Sequence, residues 1–192
     1  MIWKWSEVMC PICAVYTGDG VIVVPDLSDA GTLYQDGYGS FQDDRLLTLK
    51  PFEALYLLER SRIIVLDERD RRGLSFEELL RRFSSEDQLS WTRYLVYRDL
   101  RARGFVVKEG VGRTVDFVVY ERGSYPKRPP KYMIHVICEG LPEPISRILE
   151  VLRAAEEDNK SLKIAVIDRR GEVVYYTIAE MKFQGDEEGG LS

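Results

Sequence analysis

The chain has 192 residues, 45% apolar and 31% charged, which excludes a disordered or collagen-like polymer and allows one full domain or two small ones. Its longest apolar runs reach only about five residues, so no transmembrane helix is expected. The first residues lack the apolar stretch of a cleaved secretory signal, so a soluble, cytoplasmic protein is the expectation. A net charge of −5 excludes a uniformly basic nucleic-acid binder. Residues 91–131 nevertheless carry ten basic and four acidic side chains, which leaves open either a local basic face or a solvated helix surface.

In chain order, residues 1–20 are an N-terminal extension for which the sequence offers only core packing or a partner contact. It contains Cys10-Pro-Ile-Cys13. Zinc needs four ligands, and the chain has one further cysteine, Cys138, and one histidine, His135. No metal site is therefore expected. Free thiols are the favoured reading, with a local or partner disulfide as the alternative. Residues 21–24 read as a strand, 29–36 as a short helix stopped at Gly37, and 46–49 as a strand. Pro51 opens a helix over 52–60, and 63–66 form a strand. Ser75-Phe-Glu-Glu78 is a capping box before Leu79, Leu80 and Phe83 at helical spacing. Ser84-Ser85 reads as an interruption, which sets a domain boundary near 84–88.

A longer helix is expected over about 86–103. Leu89, Tyr94, Val96, Tyr97 and Leu100 are its packing face, with Arg93, Arg98, Arg101 and Arg103 largely off that face. Gly104 stops it. The period then changes to two. Strands are expected at 105–108 and 116–120 around a turn at 110–114. A proline-rich loop follows at 123–131, then an apolar strand at 132–138 that contains His135. A helix of about twelve residues carries Ile145 to Ala155. Strands at 164–167 and 173–178 form a hairpin across Asp168-Arg-Arg-Gly-Glu172. The acidic, glycine-rich residues 185–192 read as a disordered tail.

The chemistry of the residues is sparse. The sequence has no phosphate-binding glycine loop, no G-x-S-x-G and no His-Glu-x-x-His. His135, inside an apolar strand, reads as a satisfied core or interface residue. The aromatic–arginine helix from Tyr94 to Arg101 leaves RNA stacking open, although inward packing of both tyrosines is favoured. The residues alone give a two-domain α+β protein with an RNA-binding option.

One pattern goes further. Tyr94-Leu-Val-Tyr-Arg-Asp-Leu-Arg-Ala-Arg-Gly-Phe-Val-Val-Lys-Glu-Gly110, followed by Asp116-Phe-Val-Val-Tyr-Glu-Arg-Gly123, resembles the archaeal tRNA-splicing endonuclease family. Lys160-Ser-Leu-Lys-Ile-Ala-Val-Ile-Asp168 and Val173-Val-Tyr-Tyr176 fit its last two strands. Leu33-Tyr-x-x-Gly37-Tyr-Gly39, Glu53-Ala-Leu-Tyr-Leu-Leu-Glu59 and Leu74-Ser-Phe-Glu-Glu78 fit its N-terminal half in order. The resemblance implies a small mixed α/β domain over 1–84 and a nuclease-fold domain over 85–184, with a mixed sheet flanked by helices.

It also implies a reaction. Such enzymes cut precursor tRNA at bulge–helix–bulge motifs without a metal or other cofactor, leaving a 2′,3′-cyclic phosphate and a 5′-hydroxyl. A tyrosine acts as base, a histidine as acid, and a lysine stabilises the transition state. The tyrosine falls on Tyr120 and the lysine on Lys160, but Pro129 occupies the histidine position. The resemblance is therefore to a structural subunit that assembles, two plus two, with a catalytic one. An active enzyme using His135 as a relocated acid is the alternative, and an RNA-binding module outside splicing is a weaker one. Arg153, Arg122, Lys127 and Arg128 are the expected RNA contacts. Asp168 and Glu172 in the hairpin turn, with Val174, Tyr175 and Tyr176 beside it, are the expected subunit interface. No membrane contact is expected.

Overall fold

The computed structural model describes residues 11–18, 20–42, 46–110, 115–140 and 142–181. Cys10, the turn at 111–114 and the tail at 185–192 lie outside them.

The first sheet has the order β3-β4-β2-β1-β5. It contains β1 (Ile12–Tyr16), β2 (Ile22–Val24), β3 (Ser40–Gln42), β4 (Leu46–Leu49) and β5 (Ile63–Asp67). Residues 12–16, in the segment for which core packing or a partner contact was open, form a strand. Ile-Cys-Ala-Val-Tyr is an apolar run between β2 and β5, antiparallel to one and parallel to the other. Ala14 is fully buried, so this segment is core rather than appendage. Strand β3 was also missed, since three residues are too few for a period-two signal.

Two helices join these strands. Helix α1 (Leu27–Gln35) starts where the Asp26 carboxylate accepts the N–H groups of Ser28 and Asp29, both at 2.9 Å. Helix α2 (Pro51–Glu59) carries proline in its first turn, as expected. Helix α3 (Phe76–Glu86) follows, with Ser75 Oγ accepting the Glu78 N–H at 3.2 Å and Glu78 Oε2 accepting the Ser75 N–H at 3.0 Å. Ser84 and Ser85 lie inside α3, because the Ser85 hydroxyl donates back to the Arg82 carbonyl at 2.6 Å and leaves the helical ladder intact.

Helix α4 (Ser90–Ala102) ends as Gly104 adopts a φ of +84°. It leads into the second sheet, of order β10-β9-β8-β7-β6. The strands are β6 (Val106–Glu109), β7 (Phe117–Tyr120), β8 (Tyr132–Cys138), β9 (Ser161–Ile167) and β10 (Val173–Ile178). Pairing is antiparallel except for β8 and β9, which are parallel and are connected by α5 (Ile145–Glu157). A parallel neighbour needs such a crossover helix.

Alternation along the strands sends side chains to two packing layers. Val107, Phe117, Val119 and Ile134 join a core containing α2 and α4, while Val118, Met133 and Leu162 pack on Val151, Leu152 and Ala155 of α5. The larger core crosses the expected domain boundary. Tyr97 of α4 is fully buried, with ring centroids 4.9 Å from Phe52, 5.7 Å from Tyr56 and 6.3 Å from Phe117. The arginines of α4 also differ from expectation. Arg101 stacks on Tyr38, 4.1 Å from the ring centroid, and donates to the Asp36 carbonyl at 3.1 Å. Arg93 reaches Asp87 and Asp116. These guanidinium groups are bound within the fold instead of forming a free basic face.

Gly39 shows how tightly the first sheet meets its neighbours. Its φ is +65°, and an added Cβ would stand 2.8 Å from the Thr48 carbonyl oxygen. Gly39→Ala should destabilise the fold by about 2 kcal/mol, through left-handed strain and that contact. Urea unfolding measures it, and an unchanged midpoint would reject the steric argument.

Candidate functional site

Strand register brings three sequence-distant positions to one end of the second sheet. Val119 pairs with Tyr132, and Tyr132 pairs with Ser161. The Lys131 N–H donates to the Val119 carbonyl at 2.9 Å, and the Ser161 N–H donates to the Lys131 carbonyl at 3.0 Å. Tyr120, Lys131 and Lys160 therefore lie in one row across the ends of β7, β8 and β9. With strands about 5 Å apart, the backbones of Tyr120 and Lys160 are about 10 Å apart.

Each member of that row is held in place. The Tyr120 ring stands edge-on to Tyr125 with centroids 5.0 Å apart. Lys160 Nζ donates to Asp158 Oδ2 at 2.6 Å, and its side chain is only 16% exposed. Lys131 pairs with Glu121, whose carboxylate also accepts from Tyr132 Oη at 3.3 Å. The Lys131 ammonium beside Glu121 holds that carboxyl below its ordinary range, and Glu121 raises Lys131 in return.

The loop between β7 and β8 carries Arg122, Gly123, Lys127, Arg128, Pro129 and Pro130. Pro129 is exposed and lies two residues before the row. Neither Pro129 nor Pro130 has a titratable side chain. Lys127 and Arg128 are exposed, and Arg122 lies 5.3 Å from the Phe105 ring centroid. Arg153 is exposed on α5, beside a groove of about 450 Å³ that Leu149 and Glu157 also line.

His135 stands elsewhere. It is four residues beyond Lys131 along β8, about 13 Å at strand rise. Burial leaves it 8% exposed, at the wall of a cavity of about 560 Å³ on the other end of the sheet. Nδ1 lies 3.3 Å from Asp116 Oδ2, and Nε2 lies 3.1 Å from Glu143 Oε1. The histidine is buried, as its apolar strand leads one to expect, but only Nε2 makes a hydrogen bond, to Glu143, and Nδ1 is left without one among the described residues.

The last hairpin is built as follows. Asp168 Oδ1 accepts the N–H groups of Arg170 and Glu172, each at 2.8 Å, so this carboxylate is engaged within its own turn. Arg169 and Arg170 are exposed and make no ion pair among the described residues. Strand β10 is the last strand of its sheet. Val174 and Tyr176 are 48% and 54% exposed beside it. Tyr175 turns inward instead, donating from Oη to Asp99 Oδ2 at 2.8 Å. Burial first, and then this carboxylate, push its phenol well above the usual range.

Cys13 and Cys138 are free, and no group of His, Cys, Asp or Glu among the described residues is arranged to hold a metal ion. No helix among them is long and apolar enough to cross a membrane.

Comparison with known proteins gives the family of the chain. A model of the tRNA intron endonuclease catalytic C-terminal domain matches residues 90–175, and one of the tRNA intron endonuclease N-terminal domain matches residues 15–80. The chain belongs to the tRNA intron endonuclease family. The tRNA-splicing endonuclease of Methanococcus vannielii is 37% identical over 85% of this chain and 92% of that protein. The same-named protein of Thermococcus onnurineus is 39% identical over 71% of this chain and 78% of its own length. That of Methanococcoides burtonii is 35% identical over 80% of this chain but 42% of its own length. The start of the N-terminal match at residue 15 falls inside β1, which agrees with that strand being part of the family fold.

Proposed function

We propose that this chain is a structural subunit of a tRNA-splicing endonuclease. It assembles with a catalytic subunit, two plus two, and the complex cuts introns at bulge–helix–bulge motifs in precursor tRNA in the cytoplasm. The observation that carries this reading is the row at the end of the second sheet. Tyr120 and Lys160 stand there, but Pro129 occupies the loop position where the family resemblance calls for an imidazole. Without a donor to the leaving 5′-oxygen, a departing alkoxide is formed unprotonated, and that step alone costs a factor of about 10² to 10⁴.

His135 does not favour the alternative of a relocated acid. It lies about 13 Å along the strand, with carboxylates at both ring nitrogens. The assembly half of the proposal rests on β10, where exposed Val174 and Tyr176 flank an open strand edge. Asp168 supports the turn itself, which leaves Glu172, Arg169 and Arg170 as the groups that meet a partner there. RNA contacts through Arg122, Lys127, Arg128 and Arg153 are part of the same proposal, made through the complex.

The test is cleavage of a bulge–helix–bulge precursor tRNA by this protein alone and then with a histidine-bearing family member. Product is expected in the mixture and not with the chain alone. Cleavage by the isolated chain, retained after metal chelation, would overturn the reading.

A further inference from the structure

A run of aromatic rings leads from Tyr120 toward the first half of the chain. Tyr120 stands edge-on to Tyr125 with centroids 5.0 Å apart. Lys108 of β6 places its ammonium 5.7 Å from the Tyr125 centroid and 5.9 Å from that of Tyr34, in the last turn of α1. Tyr34 in turn lies 5.0 Å from Phe41 of β3. Tyr34 is 43% exposed, and Phe41, Tyr120 and Tyr125 are half-buried. Rings from α1, β3, β7 and the loop after β7 therefore form one patch that partly faces solvent.

The patch is tied together across the two halves of the chain. Lys108 Nζ donates at 2.7 Å to the carbonyl of Gly39, which lies between Tyr34 and Phe41 in sequence. Arg101 Nη2 donates at 3.1 Å to the carbonyl of Asp36, two residues after Tyr34. Burial, and then Tyr34, Tyr120 and Glu53, push the Tyr125 phenol above its ordinary range, so this ring is neutral. A surface whose parts are fixed before a ligand arrives loses less freedom on binding. Its rim is basic. Lys127 and Arg128 follow Tyr125 by two and three residues, are exposed and make no ion pair among the described residues.

Solvent-facing rings bordered by unpaired cations fit one class of ligand. Nucleobases stack on aromatic side chains whatever their identity, and cations beside the rings meet the phosphates. A base reaches a ring only when it is outside its own helical stack, so the ligand is an unpaired nucleotide. We propose that Tyr34 and Tyr125 form a stacking platform for an unpaired RNA base, with Lys127 and Arg128 on the flanking phosphates. The inference rests on the RNA substrate of the proposed function. It adds a contact from the first half of the chain, through Tyr34 of α1, where the sequence reading placed no RNA contact before Arg122.

The test is binding of a fluorophore-labelled bulge–helix–bulge RNA to the full-length chain, followed by anisotropy. A fully paired duplex of the same stem sequence is the comparison. The native chain should bind the bulged RNA several-fold more tightly than the duplex. Tyr34→Ala should weaken binding of the bulged RNA about tenfold and leave the duplex affinity where it was. Tyr34→Phe, which keeps the ring, should stay within about twofold of the native chain. Salt titration separates ring from charge. Tyr34→Ala should keep the native slope of log affinity against log salt, whereas Lys127→Ala combined with Arg128→Ala should reduce that slope by about one to two.

Equal binding of bulged and paired RNA, binding of neither, or a Tyr34→Ala variant that binds bulged RNA as the native chain does would each overturn the platform. So would a Tyr34→Ala variant that keeps RNA binding but no longer assembles with a histidine-bearing subunit in sedimentation, since the patch would then be a protein contact. Circular dichroism confirms that Tyr34→Ala is folded. If it is not, the native chain decides the matter: 4-thiouridine placed in the bulge should crosslink to Tyr34 or Tyr125, and crosslinks confined to other residues reject the platform. The two readings fail separately. Cleavage by the mixture with a KM unchanged in Tyr34→Ala removes the platform alone, whereas Tyr34-dependent binding of bulged RNA without cleavage by the mixture removes the splicing reading alone.

Discussion

Glu53→Ala should destabilise the protein by about 3 kcal/mol, the largest loss expected from any single polar side chain in this fold. Glu53 is 1% exposed in the first turn of α2. One carboxylate oxygen accepts the Gly39 N–H at 3.0 Å, and the other accepts the Lys50 N–H at 2.9 Å. Lys108, on β6 in the other half of the chain, approaches the carboxylate to 4.0 Å and donates to the Gly39 carbonyl at 2.7 Å. Burial pushes the Glu53 carboxyl up, with Lys108 and the two backbone N–H groups opposing, and pushes the Lys108 ammonium down. The site is thus costly to bury and is stable only while complete. Removing the carboxylate leaves two backbone donors without an acceptor and an ammonium without its counterion. Urea unfolding of Glu53→Ala, Lys108→Met and the double variant measures this. The double variant should lose less than the sum of the singles, because the unpaired cation goes with the anion. A loss below about 1 kcal/mol for Glu53→Ala would show that water replaces the carboxylate.

On the proposed function, Tyr120→Phe in the assembled endonuclease should leave the cleavage rate within about twofold, whereas the same change at the corresponding tyrosine of a histidine-bearing subunit should lower it by a factor of about 10² to 10⁴. The argument is one of sequence along the reaction path. A base at Tyr120 accelerates only a site that can also protonate its leaving group, and the prolines that follow Tyr120 supply no proton. Single-turnover rates on a precursor with one cleavable junction separate the two subunits. A loss above tenfold from Tyr120→Phe on this chain would mean that its site reacts and that some other group provides the acid.

Much of the fold was legible because the signals are local. Ser75 and Glu78 announce α3, Gly104 ends α4, and the change to period two after it marks β6 and β7. Tyr94 and Tyr97 point inward, as the helical spacing required. Strand β1 was missed although Ile12-Cys-Ala-Val-Tyr16 is an ordinary buried run. The CxxC spacing overlapping it drew a chemical reading instead, and the parallel partner β5 lies some fifty residues away. The Ser84-Ser85 pair misled in the opposite direction. Two weak helix formers suggest a break, but a side-chain hydrogen bond to the preceding turn carries them.

The family was legible in the linear order of residues, since it is a statement about which residue stands where in an ordered pattern. The same linear order determined most helix and strand positions, which depend on spacing over a few residues. The remainder came from long-range pairing and packing. Strand register set Tyr120, Lys131 and Lys160 in one row and moved His135 away from it. It also spent the arginines of α4 within the fold, engaged Asp168 in its own turn, and joined Glu53 to Lys108 across the expected domain boundary. The physical reason is the same in each case. Charge in a sequence is a count, whereas the role of a charge depends on what it faces and how much water remains around it. Contacts between residues tens of positions apart are set by sheet pairing and packing, not by local spacing.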